Sequence, residues 1–146
     1  MPKIAVWGPL IWTFFHTLIQ KINPDEFITN RLTLFNHILS ICSHLPCPIC
    51  RKHAVQHLNK IDASRLRTKE HFKVMLFNFH NDVNKRKLKP IFEISNLDRY
   101  DNFNLGLLFI DLKKCLSSGD VVNIGNKYRL NMFLNEYTRW LQTNKH

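Results

Sequence analysis

The sequence predicts an all-α fold: a four-helix bundle, a short fifth helix and an extra C-terminal helix. Two observations carry this. Apolar residues recur at intervals of three and four and seldom alternate, which is the period of a helix rather than a strand. Proline and capping residues punctuate these runs at Pro9, Asn23-Pro24, Leu45-Pro46, Thr68 and Lys89-Pro90. A hydrophobic share of 45% and an aromatic share of 12% supply a core, and only 4 glycines occur in 146 residues. The length predicts one domain, read as a bundle over residues 1–100 and a helical extension over residues 101–146.

The first helix is expected over residues 8–22. Pro9 sits at its start, where a missing N–H is harmless, and the apolar face runs from Leu10 and Ile11 through Phe14, Phe15, Leu18 and Ile19 to Ile22. The second runs from Asp25 to His44 on a stripe of Leu32, Phe35, Ile38, Leu39 and Cys42, and Leu45-Pro46 stops it, because a residue before proline avoids the α region. The third covers residues 47–60, with Pro48 near its first position and Ala54, Val55 and Leu58 inward. The fourth covers 68–87, capped by Thr68 and lined by Phe72, Met75, Leu76, Phe79 and Val83. Residues 91–102 read as turns. A fifth helix follows over 103–116 (Phe103, Leu107, Leu108, Ile110, Leu112), then a loop, a short extended piece at 121–125 and a last helix over 127–142. Four such helices with short links form an up-and-down bundle, whose core is a common cofactor site.

Lys and Arg number 21 against 11 Asp and Glu, a net charge of +10. That balance suits an anionic cofactor, an acidic partner or nucleic acid. Basic residues are not interleaved with aromatics as single-strand binders require, so nucleic acid is left out of the main reading. No apolar run approaches the roughly 20 residues of a membrane span. Met1-Pro2-Lys3 leads into a Trp-rich segment without a cleavage site, which points to a protein retained on the cytosolic side. In that reducing compartment scattered structural disulfides are not expected, and Cys42 and Cys115 read as plain thiols.

The chemistry centres on Cys47-Pro48-Ile49-Cys50, followed by Arg51, Lys52 and His53. Two thiols this close can form a disulfide, and a helix start stabilises a thiolate through unpaired N–H groups and the macrodipole. Arg51 and Lys52 are expected to add positive charge beside it. The residues before Cys47 read as helix rather than buried strand, which argues against a thioredoxin fold. A dithiol in a helical bundle needs an electron acceptor, and a bound flavin is the natural two-electron one.

Two further segments suit that cofactor. Trp12 and His16 lie four apart on one helical face and can wall a flat ligand, although a core Trp with a satisfied His is the plain alternative. In His80-Asn81-Asp82-Val83-Asn84-Lys85-Arg86-Lys87, polar rings and amides precede bunched cations, as an adenosine and its pyrophosphate require; a solvated basic helix end reads the same way.

Taken together, WGPxxWxxxH, LPCxxCRxH and HNxVN resemble the Erv/ALR family of flavin-linked sulfhydryl oxidases, and the compact form is most similar to the thiol oxidases of large cytoplasmic DNA viruses. The resemblance covers residues 7–90. It implies a four-helix bundle holding FAD, and a thiol:oxygen oxidoreductase that makes disulfides in substrate proteins and hydrogen peroxide from oxygen. It implies Cys50 as the thiol that reacts with the flavin and Cys47 as the thiol that meets the substrate. It implies flavin contacts from Gly8, Trp12, His16 and His53, and adenosine and phosphate contacts from His80, Asn81, Asn84, Lys85 and, more weakly, Lys87. It implies a homodimer, a host-cytoplasmic or virion-associated location and no metal. The chain departs from the family in lacking a second close cysteine pair, so a small CxxC-type dithiol protein is the expected electron donor. It also lacks a Trp between residues 91 and 139, so Tyr100 or Phe103 is expected beside the adenine. The last helix has no family counterpart and reads as a dimer interface or as a cover over the bundle.

Two rival readings remain at this level. Cys47, Cys50, His53 and His57 give C-x2-C-x2-H-x3-H, a zinc-type donor set that with +10 charge would imply nucleic-acid binding. All four fall on one expected helix, however, where closing a tetrahedron strains Cys47. A helical interaction protein without catalysis would leave the Trp/His and His/Asn pairs unexplained.

Overall fold

The computed structural model describes residues 4–93, 95, 100, 102–117, 131, 132 and 134–139. Among these there are five α-helices, one 3-10 turn and no strand: α1 (Ile4–Lys21), α2 (Pro24–Cys42), α3 (Pro48–Asn59), a 3-10 turn (Ala63–Arg65), α4 (Lys69–Arg86) and α5 (Leu105–Ser117). Residues 131, 132 and 134–139 are also helical. The expected extended piece at 121–125 lies outside the described residues, as does much of the expected helix over 127–142.

The helix ends follow their local chemistry. Asn23 Oδ1 accepts the Asp25 N–H at 2.9 Å with Pro24 in the first turn, and Thr68 Oγ1 accepts the His71 N–H at 3.1 Å. Each side chain satisfies an N–H that the helix leaves orphaned. The first helix departs from expectation: it begins at Ile4 and contains Pro9. Proline inside a helix forfeits a hydrogen bond and crowds the residue before it. That residue is Gly8, which has no Cβ to clash, and the deviation lies near the N-terminus, where little of the ladder is lost.

α1 is the central element. It packs on α4 along one side and on α5 along another, while α2 packs on α3 and the 3-10 turn. Residues 14 to 19 of α1 are buried without a break, so this helix is enclosed on every face. Phe14 and Phe109 of α5 stack at 5.9 Å, and the Tyr137 ring meets both, at 6.0 and 4.9 Å. Leu134 and Tyr137 are buried in the same core, so the described part of the last helix covers the bundle. Arg31 of α2 ties down the 3-10 turn through the carbonyls of Ala63 and Ser64.

Two stripes were misplaced. On α5 the buried residues are Leu105, Phe109, Leu112 and Leu116, whereas Leu107 and Ile110 are exposed, as is Phe103, which lies before the helix. The charges at Asp111, Lys113 and Lys114 mark the outward face, and Leu107 and Ile110 lie among them while Phe109 packs on Phe14 and Tyr137. On α2, Leu32 is exposed and Leu34 takes the inward place.

His37 of α2 lies edge-on to Tyr137 at 4.6 Å, and burial pushes its pKa down from 6.5 to about 4. The unfolded chain binds this proton more readily, so stability holds above about pH 6.5 and falls as pH drops toward 4. Replacing His37 with Leu is expected to flatten that part of the stability-against-pH curve in urea melts. Phe14→Ala is expected to cost about 3–5 kcal/mol in the same melts, through lost burial and a cavity that three packed rings cannot close.

Candidate active site

Cys47 is the N-cap of α3. Its backbone is extended (φ −107°, ψ 118°) and its Sγ accepts the Cys50 N–H at 3.2 Å, the position a Ser or Asp oxygen usually fills. Pro48 follows in the first turn, where it has no N–H to waste. Cys47 and Cys50 are both present as thiols. Burial by itself pushes the Cys47 thiol up, but hydrogen bonds from Cys50 and from the Ile49 backbone, together with the Lys87 charge, bring it below the ordinary thiol value. Burial and the hydrogen bond to Cys47 push Cys50 the other way, to about 11, with Lys87 opposing. The nearby cation is therefore Lys87 at the end of α4, not Arg51 or Lys52. Arg51 instead donates to the Leu45 carbonyl at 2.6 Å and fixes the loop before the motif.

Cys50 lines a strongly apolar cavity of about 250 Å³ between α1, α3 and α4; Cys47 does not line it. Gly8, Trp12, His53 and Lys87 also line it, as do Trp7, Cys42, Phe79 and Arg86. Trp7 is buried, and among the described residues its indole N–H has no acceptor. The Lys87 ammonium stands 5.8 Å from the Trp7 ring centre. A second cavity of about 310 Å³ adjoins the first across Gly8, Trp12, Val83 and Lys87, and is walled by His80, Asn84, Lys89, Pro90, Phe92 and Tyr100.

The rings between the cavities are ordered. His80 lies face-on to Trp12 at 4.2 Å (8° between planes) and to Phe92 at 4.5 Å on another side. His16 shares a 3.0 Å hydrogen bond, Nε2 to Nδ1, with His80 and stacks on Tyr100 at 4.9 Å. His16 is buried behind His80 and lines neither cavity.

Asn81 also lines neither cavity: its Nδ2 donates to the Phe92 carbonyl at 3.1 Å and its Oδ1 accepts the Phe92 N–H at 2.7 Å. Lys85 is exposed and away from both, while Arg86 takes part. Helical spacing already separates these two: Arg86 and Lys87 lie three and four residues after the inward Val83, and Lys85 lies two after it. Of the two aromatics expected beside an adenine, Tyr100 lines the second cavity and Phe103 does not. Phe92 had no signal in the sequence, since its place depends on Asn81.

The zinc donor set does not assemble. His57 Nδ1 meets Asp82 Oδ2 at 3.3 Å, an oxygen shared with Arg86, and its ring stacks on Phe79 at 4.8 Å. Among the described residues no three His, Cys, Asp or Glu side chains group as a metal site.

The model of the Erv1 / Alr family matches residues 9–102, well over half of the chain. The chain belongs to the Erv1/Alr family. It is 34% identical over 85 residues to an FAD-linked sulfhydryl oxidase of African swine fever virus, covering 58% of this chain and 71% of that protein. It is 33% identical over 90 residues to the 096R protein of Invertebrate iridescent virus 3, described by inference as an FAD-linked sulfhydryl oxidase, covering 61% of this chain. The chain spans about 60% of the length of that iridescent virus relative. No solved structure matches it significantly. The family match stops just before α5, so the helices that enclose α1 from that side lie beyond it. No described helix is long and apolar enough to cross a membrane.

Lys87→Gln is expected to raise the pH at which Cys47 becomes reactive, because it removes the cation that favours the thiolate. The rate of Cys47 alkylation by iodoacetamide against pH, followed by peptide mass spectrometry, checks this: an unmoved profile would show that the hydrogen bonds alone set the thiol.

Proposed function

We propose that this chain is an FAD-linked sulfhydryl oxidase that forms disulfides in a dithiol protein. The single observation that carries the reading is the two-sided placement of the CxxC pair: Cys50 lines the apolar cavity and Cys47 does not. Electrons can then be collected at one thiol and delivered at the other. The residues fit the cofactor. The first cavity is apolar and lined by Trp7, Trp12, Phe15 and Phe79, with the Trp7 indole N–H unpaired among the described residues; the second is aromatic; Arg86, Lys87 and Lys89 stand along them, where a pyrophosphate joining two flat rings needs charge. Trp12, His53 and Gly8 would hold the flavin end, with His16 supporting His80 from behind. His80, Asn84 and Lys87 would hold the nucleotide end. Lys85 would act only by its charge at longer range.

In the proposed reaction the site begins with a Cys47–Cys50 disulfide. A substrate thiolate attacks Cys47 Sγ, and Cys50 leaves with the electron pair. The second substrate thiol, giving up its proton, attacks the substrate sulfur of this mixed disulfide. Cys47 then leaves as a thiolate, a departure favoured by its lowered pKa and its place at the start of α3. The substrate has lost two electrons and two protons. FAD held by these residues would supply the two-electron acceptor that reoxidises the dithiol, with oxygen as the final acceptor and hydrogen peroxide as its product.

The reading extends to a small CxxC-type electron donor, supported by the place of Cys47 off the cavity at the start of α3. It extends to a homodimer, supported by the exposed apolar side chains of Leu107 and Ile110 on α5 and of Phe103 just before it. The similarity to proteins of large DNA viruses supports a place in the host cytoplasm or the virion.

The purified protein is expected to be yellow and to release FAD on denaturation. Cys50→Ser is expected to keep the flavin and lose at least about 100-fold in dithiothreitol-dependent oxygen uptake. Cys47→Ser is expected to block turnover and to show a long-wavelength absorption band from Cys50 beside the flavin. A colourless protein, or full oxygen uptake by Cys50→Ser, would overturn the assignment.

A further inference from the structure

The chain beyond α4 does not simply leave the bundle. Lys87 caps the helix and Leu88 turns into the left-handed region (φ 57°). The Leu88 N–H reaches the Lys85 carbonyl at 3.2 Å and the Lys89 N–H reaches Asn84 at 2.8 Å, a Schellman closure with leucine where glycine is usual. The closure reverses the chain, and residues 88–92 run back along α4. Two asparagines hold this strap in register: Asn84 Nδ2 donates to the Pro90 carbonyl at 3.2 Å, and Asn81 bonds both the N–H and the carbonyl of Phe92. Asn81 thus pairs with Phe92 as a neighbouring strand would. The outcome is the position of one ring: Phe92, buried, stacks on His80 and on His16 (5.1 Å, 14°) and walls the second cavity with Pro90.

We infer that Asn81 is a specificity-determining positioning residue, aided by Asn84: by pinning the strap it makes the second cavity a slot for the adenosine half of the flavin, and it touches no ligand itself. The inference rests on the proposed FAD-linked function and changes what Asn81 of the HNxVN motif does within it. The amide of Asn81 is already engaged on both sides, so a direct bond to a nucleotide would have to break the strap. FMN and FAD share the flavin ring and differ by the adenosine monophosphate half, so Asn81 should govern choice between them rather than affinity for the ring.

The test uses the full chain stripped of flavin and titrated with FAD and with FMN, followed by flavin fluorescence. Wild type is expected to prefer FAD. Asn81→Ala should weaken FAD by about 10- to 100-fold, the loss of one to two net hydrogen bonds, and change FMN by less than about threefold. A parallel readout needs no flavin. The Phe92 amide proton should exchange slowly in wild type and in Asn81→Asp, which keeps the acceptor, and quickly in Asn81→Ala. Asn81→Gln, which keeps an amide but moves it out of register with Phe92, is expected to lower the FAD preference by at least about threefold and serves if Asn81→Ala does not fold. Variants that keep the wild-type ratio of FAD to FMN affinity overturn the inference. A wild type that binds both flavins equally would overturn instead the placement of the nucleotide half in the second cavity.

Discussion

The enclosure of α1 is the constraint on which the rest depends. A helix buried on every face has no freedom to slide or rotate, because each turn meets a different neighbour: α4 on one side, α5 and Tyr137 on another. Large apolar side chains contribute about 1.5–3 kcal/mol each when fully buried, and α1 buries Phe14, Phe15, Leu18 and Ile19 within two turns. Trp12 and Gly8 occupy the same helix, so both cavities inherit their shape from this packing. The cost is a proline inside the first turns, tolerated because glycine precedes it.

The same helix explains how a dithiol is set against an aromatic slot. α3 is short and contributes few buried residues, Ala54 and Leu58 among them. It is placed from its ends. Arg51 holds the Leu45 carbonyl before it, and His57 reaches Asp82 and Phe79 on α4 near its last turn. The His57 contact is informative because the imidazole looked like a metal donor in the sequence. One helical turn beyond His53, it has passed the cavity and faces α4. Helical periodicity puts Cys50, His53 and His57 on one side, but the neighbour across that side changes from cavity to helix within two turns.

Electrostatics divides the two thiols. They are three residues apart and share a hydrogen-bonded turn; burial pushes both up, but the hydrogen bonding between them raises Cys50 and brings Cys47 down. The asymmetry comes from the hydrogen bond that Cys47 accepts at its capping position, while Lys87 favours the thiolate at both sulfurs. That the lysine comes from α4 ties thiol chemistry to the cation-bearing helix end bordering both cavities.

Much was legible in the sequence by itself. The helix positions came from period and capping chemistry, which are local, and the CxxC start of α3, the Trp12 pair and the His80 segment came from motifs whose spacing matches one helical face. The inward stripe was legible on α4; on α5 the apolar Leu107 and Ile110 fall on the same side as Asp111 and Lys114, and contact with Phe14 and Tyr137 separates them from the core face. Tertiary structure alone decided that Lys87 rather than Arg51 meets the thiols, that His16 stands behind His80, and that Asn81 holds Phe92. Each is a contact between residues distant in the chain or across a reversal. Local propensity contains no term for them, since a side chain's hydrogen-bonding capacity is fixed by its type but its partner is fixed by where the backbone returns.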